Sequence, residues 1–199
     1  MKPALHGLVL AGGRSRRMGS DKAALSFAGS TLLGRAVAQL RGVVEHVYVS
    51  SRADQEGSDV RAPYALIADQ TAGIGPAAGL LAAHELFPAA AWLVLAVDMP
   101  LVTSAELARL VRARDAAAAA TAWRSPDDGK PEPLCAIYEP ATLAALARHI
   151  EQGGSSSLRG WLESAEVKYL PDSSSEWLRS ANTPAELANL SRWRAAQNH

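Results

Sequence analysis

Leu93-Val94-Leu95-Ala96-Val97 is apolar at every position, whereas a strand with one face in water alternates apolar and polar residues. A continuous apolar run of this kind is typical of a parallel strand that helices cover on both faces. Other short apolar runs alternate with longer helical patterns along the chain, and that order is typical of βαβ units. The sequence therefore predicts an α/β fold with three layers.

The same patterns give the individual elements and the domain organisation. Strands are predicted at Leu5–Leu10, Val43–Ser50, Tyr64–Ile67, Trp92–Val97, Thr121–Trp123 and Leu134–Tyr138. Helices are predicted at Thr31–Arg41, Pro76–Leu86, Ser104–Ala113, Ala141–Glu151 and Pro184–Ala195. Polar segments with Gly or Pro at residues 51–61 and 125–133 are predicted loops, and neither is long enough for a domain linker. We expect residues 1–199 to form one three-layer sandwich, with a mostly parallel, Rossmann-like central sheet flanked by helices.

Charge and composition exclude several classes of protein. The chain of 199 residues carries 20 Lys plus Arg and 20 Asp plus Glu, so no net field would hold it on nucleic acid or an anionic membrane. Its longest apolar runs fall well short of the about 18 residues of a membrane span. No export signal is apparent, and the single Cys135 cannot form an internal disulfide. We expect a cytoplasmic protein that binds neither nucleic acid nor a membrane.

The segment richest in residues suited to phosphate binding follows the first predicted strand. It runs Leu10-Ala11-Gly12-Gly13-Arg14-Ser15-Arg16-Arg17-Met18-Gly19-Ser20-Asp21-Lys22. Gly12 and Gly13 let a ligand approach backbone amides that can donate to phosphate oxygens. Positive charge comes from Arg14, Arg16, Arg17 and Lys22. Alone, the two glycines fit an ordinary solvated loop better, but the whole set predicts a triphosphate site that is neither a Walker A loop nor a dinucleotide fingerprint.

Acidic residues follow two other predicted strands. Asp98 comes directly after the run that ends at Val97, at the sheet edge where α/β proteins bind ligands. Its carboxylate suits Mg²⁺ together with phosphate oxygens, although a cap or turn near Pro100 explains it equally well. Asp69 follows a shorter strand and precedes the glycine-containing residues 73–80, which form either another wall of a nucleotide pocket or a simple turn before a helix. The histidines lack the spacing of metal ligands, and no Gly-x-Ser-x-Gly elbow occurs, so neither a His-bound transition metal nor a serine hydrolase is predicted.

The stretch from Leu10 to Lys22 resembles the signature of molybdenum cofactor guanylyltransferases, within the wider nucleoside-triphosphate transferase fold. The resemblance covers nearly the whole chain, through Gly75-Pro76-Ala77-Ala78-Gly79, Val97-Asp98-Met99-Pro100, Pro133-Leu134-Cys135-Ala136-Ile137-Tyr138 and Asn182-Thr183-Pro184-Ala185-Glu186-Leu187. It implies an enzyme that uses Mg²⁺ and transfers GMP from GTP to molybdopterin carrying molybdenum, with release of pyrophosphate. Molybdenum cofactor delivery proteins or acceptor-enzyme chaperones are the protein partners it suggests.

The resemblance also implies roles for single residues, matched position by position. The nucleotide-binding residues would be Leu10, Ala11, Gly12, Gly13, Lys22, Ser50, Asp69 and Asp98. Asp98 is the implied Mg²⁺ ligand, and Asn182 would orient the metal or the acceptor. Arg17 and Lys22 would stabilise charge that develops toward pyrophosphate. Ser50 stands where some relatives have Asn.

Other functions stay open at the level of the sequence. A cytidylyltransferase acting on the same pterin is the nearest alternative, but Gly12-Gly13 resembles the guanylyl enzymes, since cytidylyl relatives tend to carry Ala-Gly there. A sugar-phosphate nucleotidyltransferase is disfavoured by the compact length of the chain. A regulatory module that binds a triphosphate without turning it over is permitted by the loop, and it is made less attractive by Asp98 together with Asn182.

Overall fold

The computed structural model describes residues 2–12, 21–52, 55, 58–69, 71–125, 128–170 and 175–197. The strands are β1 (Leu5–Leu10), β2 (Ser26–Phe27), β3 (Ser30–Thr31), β4 (Val47–Arg52), β5 (Ala65–Asp69), β6 (Ala91–Ala96), β7 (Ala120–Arg124), β8 (Pro131–Tyr138) and β9 (Val167–Tyr169). The α-helices are α1 (Leu32–Arg41), α2 (Pro76–Leu86), α3 (Ser104–Ala113), α4 (Pro140–Glu151), α5 (Leu158–Glu163) and α6 (Pro184–Gln197). Short 3₁₀ helices lie at Lys22–Ala24 and Ser175–Leu178.

Seven of the described strands form the central sheet, in the order β5-β4-β1-β6-β8-β7-β9. Neighbouring strands pair in parallel except at β8, which runs antiparallel to both β6 and β7. Strands β2 and β3 form a separate two-stranded ribbon. The predicted mostly parallel sheet is confirmed, with one reversed strand inside it.

Helices cover both faces of this sheet. On one face α1 and α3 pack over side chains that include Val9 and Leu95, and on the other α2, α4 and α5 pack over side chains that include Leu8 and Val94. All residues of β6 are buried, because its successive side chains enter the two cores in turn. The continuous apolar run at residues 93–97 therefore has the cause that the sequence indicated, and the three-layer fold is confirmed.

The predicted boundaries of β4 and β8 were wrong for local reasons. The strand expected to begin at Val43 begins at Val47, because the amides of Val43 and Val44 donate to the carbonyl of Leu40 at 2.9 Å and 3.0 Å and continue the turn that ends α1. The same strand extends into the predicted loop as far as Arg52. The second predicted loop ends early, because β8 already begins at Pro131.

Several short elements were not predicted, among them α5, β9 and the ribbon of β2 and β3. Helix α5 has 6 residues and β9 has 3, and segments this short carry too little periodicity to be recognised. Strand β9 pairs with β7, at the edge of the sheet. No described helix combines the length and the apolar character needed to cross a lipid bilayer.

Parallel pairing brings the ends of several strands to the same edge of the sheet. The carboxyl ends of β1, β4, β5 and β6 meet there, and we call this the carboxyl edge. Because β8 is reversed, its first residues, Pro131 and Glu132, also come to this edge. The residues that follow β1, β4, β5 and β6 are thereby brought to the same edge as the first residues of β8.

Candidate active site

Three side chains that are distant in sequence meet at the carboxyl edge. The Nζ atom of Lys22 donates to Oδ2 of Asp98 at 3.0 Å and to Oδ1 of Asn182 at 2.8 Å. The side chains of Lys22 and Asp98 keep only 15% and 19% of their surface exposed, so solvent screens their ion pair less than an open one. The structure thus brings together a predicted phosphate ligand, a predicted metal ligand and the predicted C-terminal asparagine.

Backbone contacts hold the two acceptors of this cluster, Asp98 and Asn182. The amide of Ala181 donates to the carbonyl oxygen of Asp98 at 2.8 Å, which fixes the segment before α6 against the turn after β6. The amide of Asn182 donates to Oε2 of Glu186 at 2.6 Å, and the amide of Glu186 donates to Oγ1 of Thr183 at 3.2 Å. These side-chain caps at the start of α6 set the direction from which Asn182 reaches Lys22.

The second oxygen of Asp98 bears on metal binding. Oδ1 is buried and has no hydrogen-bond partner within the described part of the chain. Leaving such an acceptor unsatisfied costs about 1–3 kcal/mol, and a hard cation is a ligand that would satisfy it. The described residues contain no group of three or more His, Cys, Asp and Glu side chains that could hold an ion alone. Asp98 therefore fits a Mg²⁺ ion that takes most of its ligands from bound phosphates and water.

Gly12 fits closely against Asp69. A Cβ atom at residue 12 would lie 2.8 Å from Oδ2 of Asp69, a distance that real Cβ atoms essentially never show. The preceding residue, Ala11, is held by its amide, which donates to the carbonyl of Ser50 at 3.1 Å. The missing side chain at Gly12 is what lets the Asp69 carboxylate reach the end of β1, so these two predicted nucleotide ligands are neighbours.

Ser50 occupies a different environment from the other candidates. It is 2% exposed, and a Cβ atom at Gly79 of α2 would lie 2.0 Å from its Oγ and 2.7 Å from its Cβ. Gly79 therefore allows α2 to approach β4 directly over Ser50. The structure gives Ser50 a packing role, and its predicted nucleoside contact stays a prediction.

The N-terminus of α2 also faces the carboxyl edge, because α2 follows β5. Gly75 precedes the helix with a φ of 61°, in the region that favours glycine, and Pro76 is the first helical residue. No side chain among the described residues caps this end. Amides at a helix N-terminus attract anions, so the electrostatics of this edge suit phosphate.

Arg61 is a residue of this region that the sequence did not single out. It is fully buried, and its Nη2 donates to the carbonyl of Ala11 at 2.9 Å and to Oδ1 of Asp21 at 3.2 Å. Its Nη1 donates to Oδ2 of the same carboxylate. Burial opposes ionisation of Asp21, but the hydrogen bonds from Arg61 and from the amide of Ala23 outweigh it and hold the pKa of Asp21 below its usual value. Arg61 lies in a predicted polar loop, and no local pattern distinguishes a buried arginine there from a solvated one.

Part of the predicted phosphate loop lies outside the residues that the structure describes. This applies to Gly13 and Arg17, and equally to Arg14 and Arg16. The roles expected of these residues stay predictions. Leu10 and Ala11, at the start of the loop, lie where predicted, at the end of β1.

A cavity of about 490 Å³ opens beside the Lys22 cluster. Its walls include Glu132 at the start of β8, Arg159 of α5 and Asn182. Burial raises the pKa of Glu132, even though the amide of Leu134 and the charge of Arg159 act in the opposite direction. Nη2 of Arg159 lies 3.7 Å from Oε2 of Glu132. Asn182 thus belongs both to the cluster and to the wall of a cavity large enough for a small organic ligand.

Comparison with known proteins gives a consistent result. The model of the MobA-like NTP transferase domain family matches residues 7–168. The probable molybdenum cofactor guanylyltransferase of Opitutus terrae is 44% identical over 160 residues, which cover 78% of this chain and 77% of that protein. The molybdenum cofactor biosynthesis bifunctional protein of Synechocystis sp. is 33% identical over 144 residues, and the match covers 72% of this chain but 42% of that relative.

A solved structure shares the arrangement of the whole chain. The molybdopterin-guanine dinucleotide biosynthesis protein A of Archaeoglobus fulgidus superposes with a TM-score of 0.78 at 26% identity. The superposition covers 96% of this chain and 99% of that one. The similarity therefore extends past residue 168, where the match to the family model ends, and includes most of the chain beyond it.

Proposed function

Since the chain belongs to the MobA-like NTP transferase domain family and is a nucleotidyltransferase, we propose that it transfers GMP from GTP to molybdopterin carrying molybdenum. The products would be pyrophosphate and a guanine dinucleotide form of the cofactor. The observation that carries this proposal is the convergence of Lys22, Asp98 and Asn182 beside a cavity at the carboxyl edge. The names of several relatives support the choice of guanine and of the pterin acceptor.

In this proposal GTP lies over the carboxyl edge, at the end of β1. Leu10, Ala11, Gly12 and Gly13 would line the nucleotide site, the amides of the two glycines would donate to the nucleotide, and Asp69 would lie beside the nucleoside. The amides at the start of α2 add a positive field toward the phosphates. Lys22, at 15% side-chain exposure, offers its ammonium group from a position with little solvent screening.

Asp98 would hold Mg²⁺, with Asn182 close enough to orient the ion or the acceptor. When bound, the ion neutralises phosphate charge and polarises the phosphoryl group under attack. The buried Oδ1 of Asp98, which accepts no hydrogen bond from a described residue, supports this assignment. Because the described residues form no group of three or more His, Cys, Asp and Glu side chains that could hold an ion, the ion would take most of its other ligands from the nucleotide and water.

The reaction requires no protein nucleophile. An oxygen of the acceptor phosphate attacks the α-phosphorus of GTP, a new phosphorus–oxygen bond forms, and the bond to the pyrophosphate oxygen breaks in line. Lys22 and Arg17, with the loop amides, would stabilise the negative charge that develops on the departing pyrophosphate. The protein therefore acts by positioning two anions and by compensating their charge.

The acceptor would occupy the cavity of about 490 Å³, a size within the usual range for small-molecule sites. Asn182 lies in its wall and also accepts from Lys22, so a phosphate at the mouth of the cavity would face the nucleotide site. Action in the cytoplasm and association with cofactor delivery proteins or acceptor-enzyme chaperones are further parts of the proposal. The free, buried Cys135 is compatible with a reducing compartment.

The decisive assay incubates the protein with Mg²⁺, molybdenum-loaded molybdopterin and either GTP or CTP, and measures the dinucleotide by mass spectrometry and pyrophosphate by a coupled assay. We expect both products with GTP and little with CTP. Preferential use of CTP would replace the proposal by a cytidylyltransferase. If the protein binds GTP tightly but forms neither product, a regulatory module is favoured instead. The control is that an active enzyme preparation converts the same batch of acceptor.

A further inference from the structure

We infer that Arg61 is a positioning residue of the nucleotidyltransferase site, which sets the location of the Lys22 ammonium group by joining Ala11 and Asp21, the residues that flank positions 12–20 of the chain. The inference rests on the proposed function, because it assigns Lys22 to the phosphates of the nucleotide. Arg61 itself would not touch the substrate, since it is fully buried.

One guanidinium group joins the two described residues at the ends of the segment 11–21. Ala11 precedes residues 12–20 and Asp21 follows them, and Nη2 of Arg61 donates to both, at 2.9 Å and 3.2 Å. Its Nη1 donates to the second oxygen of Asp21 and to Oγ of Ser58, the latter at 3.4 Å. Because the guanidinium is planar and rigid, these contacts fix the separation of the two ends.

Asp21 passes this constraint on to Lys22. Its Oδ1 accepts from the amide of Ala23 at 3.0 Å and caps the short 3₁₀ helix of which Lys22 is the first residue. The same oxygen accepts from Arg61. Ala23 is 1% exposed, so the helix is anchored in the core and Lys22 has a fixed starting point from which its Nζ reaches Asp98.

A second buried arginine provides a matched control at the opposite end of the sheet. Arg114 donates to both oxygens of Glu139 at 2.6 Å and 2.9 Å, and to the carbonyl of Pro3 at 3.0 Å, just before β1. It is 8% exposed. Each end of β1 therefore has a buried arginine that binds one carboxylate and one backbone carbonyl, and of these two only Arg61 lies beside the candidate active site.

The experiment compares Arg61→Lys with Arg114→Lys. A lysine keeps the charge but cannot bridge a carboxylate and a carbonyl as the guanidinium does, so both variants should lose thermal stability. We expect kcat/KM for GTP to fall about 10- to 100-fold in Arg61→Lys alone, with a lower kcat as well as a higher KM, because misplacing a charge by about 1 Å has effects of that size. Asp21→Asn, which keeps the cap and removes the charge pair, should show a smaller change of the same kind.

The alternative outcomes separate a positioning role from a structural one. A folded Arg61→Lys protein with the wild-type kcat/KM would overturn the inference, as would equal losses of activity in Arg61→Lys and Arg114→Lys. If Arg61→Lys does not fold, Asp21→Asn must show the kinetic change, and wild-type kinetics there would overturn the inference. If the wild-type protein makes no dinucleotide, the proposed function fails, and affinities for GTP and inorganic pyrophosphate by calorimetry replace kcat/KM. Weaker binding in Arg61→Lys alone then supports the positioning role, while unchanged binding or no binding by the wild type overturns it.

Discussion

The ammonium group of Lys22 stands 3.0 Å from the carboxylate of Asp98, so a proposed phosphate ligand and the proposed metal ligand form an ion pair with each other. In the proposed function both groups would serve a magnesium nucleotide, in which the carboxylate would bind the cation and the ammonium group would bind phosphate. Nucleotide binding would therefore exchange one internal pair for two contacts with the ligand. Substitutions of Asp98 and of Lys22 should disturb the two halves of this exchange separately.

Replacing Asp98 with Asn should abolish Mg²⁺-dependent release of pyrophosphate, because the amide keeps the shape of the side chain and removes the charge that binds the cation. The fold should be retained, since Asn can still accept from Lys22. Pyrophosphate release with and without Mg²⁺, alongside circular dichroism, measures both effects. Unchanged Mg²⁺-dependent turnover would remove Asp98 from the metal site.

Replacing Lys22 with Met should have opposite effects on the two ligands. Affinity for GTP should fall roughly tenfold or more, as expected for the loss of a charge-assisted contact. Affinity for Mn²⁺ in the absence of nucleotide should rise, because the Lys22 ammonium group no longer competes for Asp98. Calorimetry with GTP and with Mn²⁺ measures the two affinities separately. A loss of affinity for both ligands would contradict the idea that nucleotide binding replaces the Lys22–Asp98 ion pair.

Replacing Gly12 with Ala should weaken nucleotide binding, because the new Cβ would meet Oδ2 of Asp69 at 2.8 Å. The carboxylate or the end of β1 must move. Gly160→Ala in α5 is the matched control, since its Cβ would find its nearest neighbour at 3.4 Å, an ordinary contact. Measurement of KM for GTP should separate the two variants, and equal values would show that the contact with Asp69 is dispensable.

Replacing Gly79 with Ala should destabilise the fold, because α2 would have to retreat from Ser50. Overpacking of a tight contact typically costs about 1–3 kcal/mol. The double variant Gly79→Ala, Ser50→Gly should recover much of that loss, since it removes the two atoms in closest conflict. Urea unfolding of the single variants and the double variant measures the coupling, and strictly additive effects would mean that the two residues do not press on each other.

The unfolding free energy should fall as the pH drops below about 6.5, the ordinary pKa of histidine. Burial, with a smaller effect of His46, lowers the pKa of His6, and burial likewise lowers that of His84. Between the lowered pKa values of the folded chain and about pH 6.5, the unfolded chain therefore binds more protons than the folded chain. The stabilisation that comes from keeping these two histidines neutral is complete only above about pH 6.5. His6→Phe should reduce the slope, because a phenyl ring keeps the stacking on Phe87 and does not titrate. Urea unfolding at about pH 5.5 and about pH 7.5 provides the test, in which an unchanged slope would rule out His6 as a source.

The sequence predicted those parts of the fold that local patterns determine. Helices α2 and α3 have the predicted bounds, because Pro76 and the Thr103–Glu106 capping box mark where they begin. The reversal of β8 was not predicted, since an apolar run does not encode the direction in which a strand pairs. The direction of β8 is defined only by its antiparallel pairing with β6 and β7 in the folded sheet.

Prediction of the site had the same limit. Asp98 and Lys22 were identified because they follow buried strands and match a signature, and the sheet brings them together. The contact of Ser50 with Gly79 and the contacts of Arg61 join segments whose relative placement only the folded chain defines. A buried arginine and a packed serine look ordinary in sequence, so only their surroundings in the fold distinguish them.

The hydrogen bond from Lys22 to Asn182 spans 160 positions of the chain, so its two partners are synthesised at well-separated times during translation. Strands β1, β4, β5 and β6, with α1 and α2, lie within residues 5–96, so the ribosome makes the proposed nucleotide side of the carboxyl edge well before it reaches residue 182. Asn182, which borders the proposed acceptor cavity, is made later. A nascent chain that ends before residue 182 therefore has the segments proposed to bind GTP and lacks a wall of the proposed acceptor cavity, so a truncated chain would offer the proposed donor site without a complete acceptor site.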